Sequence, residues 1–314
     1  MDIHSSKMGH LACFTAYAIF GFNIIVCKDL TSTHWISPLS LFCLRSIGAG
    51  ALFWLISLFT PKEKVIPKDY LKIFAASLLG FFLTQLTFLM AIEQVTPMDC
   101  SIISAMSPVY TMFIAAIAIK EPVTLKKAGG VALSLCGILF LIANSVGLGN
   151  SEGTSTLSGI LLMIANSLSF ALYLGIFKPL ISKYSVFTFM KWIFLFSTML
   201  SLPFSAKEIV SIDFGGLPLS LLLELSFLII CSTFITYFLI PIGQQRIRPT
   251  LVSMYSYVQP IIAITASIFI GMDTLTWQKA LATITVFTGV IIVSYSKTQT
   301  PPNTASNTDT DKIS

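Results

Sequence analysis

The chain has 314 residues, of which 55% are hydrophobic and only 11% charged, and its mean hydropathy is +0.85. Ordinary soluble domains carry about 25% charged residues, so that class is excluded. The net charge of +5 comes from basic residues scattered among apolar segments, with no basic stripe interleaved with aromatics, and this excludes a nucleic-acid surface.

In chain order, apolar runs of about 20 residues, the length that crosses a bilayer, follow one another almost end to end. The candidate spans are 10–28, 38–59, 70–92, 99–119, 127–143, 158–177, 186–203, 218–240, 250–271 and 277–296. Residues 145–157 are rich in Ser, Gly, Thr and Asn and read as a connector. Residues 297–314 hold almost nothing apolar and read as a disordered tail. The expected domains are therefore a five-helix unit at 1–144, the connector at 145–157, a second five-helix unit at 158–296 and the tail. The six cysteines sit singly inside apolar segments, so no metal site or disulfide framework is expected.

The two units are duplicates. Moved along the chain by 152 residues, 96–144 falls on 248–296 without a gap. The identities include Pro97/Pro249, Ser101/Ser253, Ser104/Ser256, Pro108/Pro260, Thr124/Thr276 and Gly137/Gly289. They fall on the residues that shape a backbone: a proline before each helix, another inside it, then a glycine in the next. Five spans is an odd number, so duplicated halves must enter the membrane from opposite sides. Basic residues test this, because they collect in cytoplasmic loops. With the N-terminus inside, internal segments hold Lys7, Lys62, Lys64, Lys68, Lys120, Lys126, Lys127, Lys178, Lys183, Arg246, Arg248, Lys297 and Lys312. External segments hold Lys28, Lys207 and Lys279. The expected fold is an all-α membrane protein, ten transmembrane helices arranged as two inverted five-helix repeats, multi-pass, with both termini cytoplasmic.

Inverted repeats point to a solute carrier whose site lies between the halves near the bilayer midplane. The segment "SIISAMSPVYTMFIAAIAIKEPVTLKKAGGVALSLCGILFL" resembles the drug/metabolite transporter superfamily, specifically its EamA-type exporters. The resemblance rests on Pro108, Glu121, Gly130 and Gly137, repeated at Pro260, Asp273 and Gly289, and on Gly21, Asn23 and Lys28 in the first span. Arg45 matches an arginine often seen in the family's second helix. Phe20 stands where the family usually has Trp, and Asp273 replaces a Glu. The resemblance implies a ten-helix exporter in the inner (plasma) membrane that needs no cofactor.

Several residues carry two readings. Pro108 and Pro260 are hinges that open a carbonyl to the cavity, or static bends. Glu121 and Asp273 are helix caps, or groups for proton coupling. Arg45 and Lys191 lie about 10 Å inside their spans; they snorkel to the interface, Arg45 pairing with Glu93 or Asp29, or they face the cavity. The expected substrate site draws on spans one, three, four, six, eight and nine: Asn23, Gln85, Ser104, Asn166, Tyr173, Tyr237, Ser253 and Tyr257, with Lys191 as a lure for an anionic group. Amides, hydroxyls and tyrosines suit an amphipathic metabolite. No Walker loop, H-E-x-x-H or G-x-S-x-G is present, so an enzyme or a lone ATP-driven pump is not expected. The function read from all this is export of a small organic metabolite or amino acid by alternating access, with membrane lipid as the surrounding partner. The alternatives are an exchanger of phosphorylated or nucleotide-linked sugars, and a membrane sensor or assembly protein that kept the fold and lost transport.

Overall fold

The computed structural model describes residues 3–119, 124–145, 155–210 and 212–295. Among them every regular element is a helix. Seven helices are long and apolar enough to cross a membrane, namely Ser6–Ser32, Pro38–Ser57, Pro67–Ile92, Leu157–Ile176, Val186–Val210, Leu219–Arg246 and Leu251–Ile270, and Ala128–Asn144 is a shorter apolar helix. The chain is a multi-pass, all-helical membrane protein. Glu121, most of the connector and the tail lie outside the described residues.

Helix starts follow local chemistry. Ser37 caps α2 (Pro38–Ser57), which follows α1 (Ile3–Ser32), by accepting from the Ser40 N–H, and a proline fills the first position where no donor is needed. Thr96 caps α4 (Pro97–Ser104) in the same way through Asp99. Thr156 caps α7 (Leu157–Ile176) through Gly159. Gly271 closes α12 (Val258–Ile270) at φ +78°, a left-handed turn that suits glycine, with Met272 N–H reaching back to Ser267.

Two helices outrun the sequence reading. α9 (Val186–Val210) continues through Pro203, and α10 (Leu219–Arg246) continues through Pro241. A proline removes one donor and so frees one carbonyl, four residues back; packed neighbours let a membrane helix carry that loss. Conversely, two spans are broken. The expected span 99–119 is α4 followed by α5 (Ser107–Ile119), and 250–271 is α11 (Pro249–Met254), a 3₁₀ turn at Tyr255–Tyr257 and α12. Both breaks fall just before the duplicated prolines. α3 (Pro67–Ile92) and α10 each carry a widened π turn, at Leu78–Phe82 and Ile230–Ile235, again 152 residues apart. The Thr84 hydroxyl donates to the carbonyl of Leu79 at 2.7 Å and the Thr236 hydroxyl to that of Cys231 at 3.0 Å, each five residues back across the widened turn.

Helix packing follows one scheme. α2 lies along α9: Ser46 and Thr198 share a hydrogen bond of 2.8 Å, Ser201 donates to Cys43, and Ser37 bonds Glu208. Residue numbers rise along one helix as they fall along the other, so the two run antiparallel. α6 (Leu125–Ser145) and α13 (Trp277–Tyr295) are also antiparallel, with Gly137 against Val286 and Gly289 against Gly130 and Ser134. Only glycine permits that approach of backbones. α1 packs on α10 and α12, and α7 packs on α3 and α5. Three of these contacts join positions 152 apart: Ser46 with Thr198, Gln85 with Tyr237 and Ser134 with the Val286 carbonyl.

The polar ends gather on two opposite faces. On one, Lys28 donates to the last carbonyl of α3, at Ile92 (2.8 Å), and to those of Glu93 and Val95 in the turn that follows (both 3.1 Å), and Lys279 pairs with Asp273 at 2.7 Å. On the other, Lys178, at the start of α8 (Lys178–Lys183), donates to the Ile247 carbonyl at 2.7 Å, and Lys183 bonds Asp69. Lys28, near the end of α1, and Lys178, just after α7, thus each cap the end of another helix, α3 and α10.

Candidate functional site

A cavity of about 50 Å³ lies where the two halves meet. α1 contributes Tyr17, Phe20 and Asn23, and α3 contributes Thr84, Gln85 and Phe88. Ser104 and Ser107 come from the break between α4 and α5, and Asn166 and Phe170 from α7. Tyr237 comes from α10, and Ser256 and Gln259 from the break before α12. Among the described residues, no charged side chain lines the wall.

The breaks explain why serines appear here. Pro108 cannot donate to the carbonyl of Ser104, nor Pro260 to that of Ser256, so each proline frees a carbonyl at a cavity residue. The wall also holds polar atoms without partners. Tyr17 Oη, Gln85 Oε1 and Ser256 Oγ are buried and accept or donate no hydrogen bond. Buried polar atoms are nearly always bonded, so three orphans around one cavity mark a place for a polar solute or for water. The remaining groups are fixed. Gln85 Nε2 donates to Tyr237 Oη at 2.9 Å, and Asn166 Nδ2 donates to the Thr84 carbonyl at 2.6 Å. Ser104 donates to the Cys100 carbonyl at 2.9 Å. The Tyr237 ring is boxed edge-on by Phe20, Phe81 and Phe194, with centroids 5.0–6.1 Å away.

Of the residues expected at the site, Asn23, Gln85, Ser104, Asn166 and Tyr237 are brought together in this wall. Tyr173 is not part of it: buried against Gly80, it stacks on Phe170 at 5.9 Å. Ser253 is buried in α11, outside the lining, and Tyr257 turns toward Phe287 of α13, 5.6 Å between centroids. Lys191 is placed away from the cavity, with its ammonium 5.1 Å from the centre of the half-exposed Trp54 ring. Snorkelling over an indole face accounts for it better than an anion lure.

Arg45 does the opposite. It is fully buried and pairs with neither Glu93 nor Asp29. Its Nε donates to Thr233 Oγ1 at 2.8 Å, Nη2 to Ser232 Oγ at 3.2 Å and Nη1 to Cys27 Sγ at 3.6 Å. Ser232 in turn donates to Asn23 Oδ1 in the wall. Tyr17, Phe20, Phe88, Phe170 and Ser256 line the wall without standing among the expected site residues, because an aromatic or hydroxyl inside a span is ordinarily packing. Only the cavity distinguishes them.

Two ionic groups sit at the faces instead. Asp273 accepts from the Met98 N–H at 3.2 Å and pairs with the buried Lys279, so it caps α4 in the other half. A surface cleft of about 330 Å³ involves Asp69, Lys72 and Lys183, and both lysines are held by Asp69. That hydrogen bond raises Lys183 above the usual lysine range. Burial, and then the Arg248 charge, hold Lys178 below it.

The model of the EamA-like transporter family matches this chain twice, at residues 7–143 and 157–295. The uncharacterized inner membrane transporter YicL of Salmonella typhimurium is 25% identical over 296 residues, 92% of this chain and 96% of that one. An uncharacterized transporter of Archaeoglobus fulgidus is 23% identical over 262 residues, 83% of this chain and 90% of its own. A solved crystal structure superimposes with a TM-score of 0.65 at 17% identity, covering 92% of this chain and 97% of that one, a likeness of fold alone. With the family model spanning nearly the whole sequence, the chain belongs to the EamA-like transporter family.

Proposed function

We propose that the protein is a secondary carrier of ten spans, two inverted five-helix halves that rock about the shared cavity and export a small organic metabolite or amino acid. The observation that carries the reading is the cavity wall itself, assembled from both halves with Gln85 bonded to Tyr237 across it and three orphan polar atoms around it. Inversion is supported by direction: α2 and α9, like α6 and α13, are duplicates that run antiparallel. Contacts between positions 152 apart, Ser46 with Thr198, Gln85 with Tyr237 and Ser134 with Val286, agree with a two-fold axis between the halves. The face that holds Lys62, Lys64, Lys68, Lys178, Lys183, Arg246 and Arg248 is read as cytoplasmic. The direction of transport follows the family resemblance. An uncharged wall fits amphipathic solutes and disfavours sugar phosphates, which need several cations.

The test fills the cavity. Ligands are first found by thermal shift across amino acids, organic acids, nucleobases and cationic drugs, and their movement is then followed in proteoliposomes. Ser104→Phe and Ser256→Phe should each abolish transport in protein that remains folded. A carrier untouched by both would contradict the reading and favour a sensor or assembly role.

A further inference from the structure

Arg45 is buried completely, yet all three of its partners are neutral. A guanidinium carries five N–H bonds, so two are left without an acceptor. Among the described residues no carboxylate lies within ion-pairing distance. A buried cation without a counter-charge is costly inside a membrane, and such residues face a pathway or a partner.

Duplication supplies the control. The helix of the second half that answers α2 is α9, and the positions on it that answer Arg45 lie within Ile193–Ser197, all uncharged; there the Ser77 hydroxyl bonds the Ile193 carbonyl and pairs with Ser197, both at 2.7 Å. The duplicates of Ser232 and Thr233 are Gly80 and Phe81. The same packing position therefore closes without any charge, and the fold does not require one. The guanidinium is also one residue from the cavity. Ser232 accepts from Arg45 and donates to Asn23 Oδ1, so Asn23 holds the end of a polarised chain in a wall whose described residues carry no charge.

Building on the carrier reading, we propose that Arg45 is the recognition charge for a carboxylate, and that the transported solute is an organic monocarboxylate whose apolar body lies among Phe20, Phe88 and Phe170. Two spare N–H bonds match the two oxygens of one carboxylate. A phosphate dianion would want a second cation, and the wall offers none. The carboxylate takes the position that Asn23 Oδ1 now holds at the end of the chain, once Asn23 and Ser232 turn aside.

The full chain in nanodiscs is titrated with propionate, isovalerate and phenylacetate beside their uncharged amides. Binding is read by calorimetry and thermal shift. The acids should bind and the amides should not. Arg45→Gln should weaken the acids about ten- to a hundredfold, the worth of one charge-assisted contact, and Arg45→Lys should recover part of that. Asn23→Asp, which places a carboxylate one hydrogen bond from the guanidinium, should raise the melting temperature and remove the response to acids. Equal binding of acids and amides, no response to any of the three acids, or full affinity in Arg45→Gln overturns the proposal. If Arg45→Gln does not fold, unchanged acid binding in Asn23→Asp overturns it. Ser104→Phe separates the two readings. Acid binding that needs Arg45 but survives a filled cavity removes the carrier cavity and keeps the anion site. Binding lost in Ser104→Phe but intact in Arg45→Gln does the reverse.

Discussion

At the scale of residues, the site is a set of pairs that only the folded chain makes. Gln85 and Tyr237 lie 152 residues apart, and the amide of one meets the hydroxyl of the other at 2.9 Å. Tyr237→Phe would leave the Gln85 amide without its acceptor in a buried place, a loss of about 1–3 kcal/mol. Chemical unfolding of the variant should show that loss, and transport should fall with it; unchanged values for both would mean that the pair is incidental. Gln85, Asn23 and Asn166 were legible in the sequence because an amide inside an apolar run is conspicuous. Tyr173 and Tyr257 were equally conspicuous but turn elsewhere, since a helix position does not reveal which neighbour its side chain meets. Lys191 and Arg45 were legible as intramembrane cations, and their fates were not. The aromatic face of Trp54 decides one, and the hydroxyls of the α10 π turn decide the other.

At the scale of elements, the decisive features are interruptions. Pro108 and Pro260 follow breaks at the depth of the cavity and free the carbonyls of Ser104 and Ser256 beside it. Pro108→Ala restores a donor for the Ser104 carbonyl and favours one continuous helix. We expect the variant to melt at the same or a higher temperature and to lose at least tenfold in transport rate. Full transport would make the break a static bend. The α6–α13 contact has a different character, a close antiparallel seam with no residue in the cavity wall. Gly289→Leu would drive a side chain into Gly130 and Ser134, and overpacking of this kind costs about 1–3 kcal/mol. Reduced yield and a lower melting temperature should follow, without any change of substrate preference in the protein that survives. The prolines were plain in the sequence. The π turns were not, because a widened turn depends on which carbonyl each N–H chooses, and Thr84 and Thr236 mark it only after the fact.

At the scale of the whole molecule, the duplication and the charge bias were written in the sequence, and the helix partners were not. Periodicity locates spans, but it does not state that α1 lies against α10 and α12 rather than α2. The two polar faces, defined by contacts such as Lys178 with Ile247 and Lys28 with Val95, now give the charge bias a geometry. In a cysteine-free background, an impermeant thiol reagent added outside intact cells should label Gly215→Cys and Thr33→Cys and spare Lys64→Cys; the reverse pattern would overturn the orientation. Halves that face each other across an axis, as proposed, set α2 antiparallel along α9. The most direct measurement is oxidative crosslinking of Ser46→Cys with Thr198→Cys, whose native hydroxyls are 2.8 Å apart. A rapid crosslink within one chain should form, seen as a mobility shift that reductant reverses and that each single cysteine lacks. Two thiols that are each accessible to a small alkylating reagent, yet never join within one chain, would contradict it.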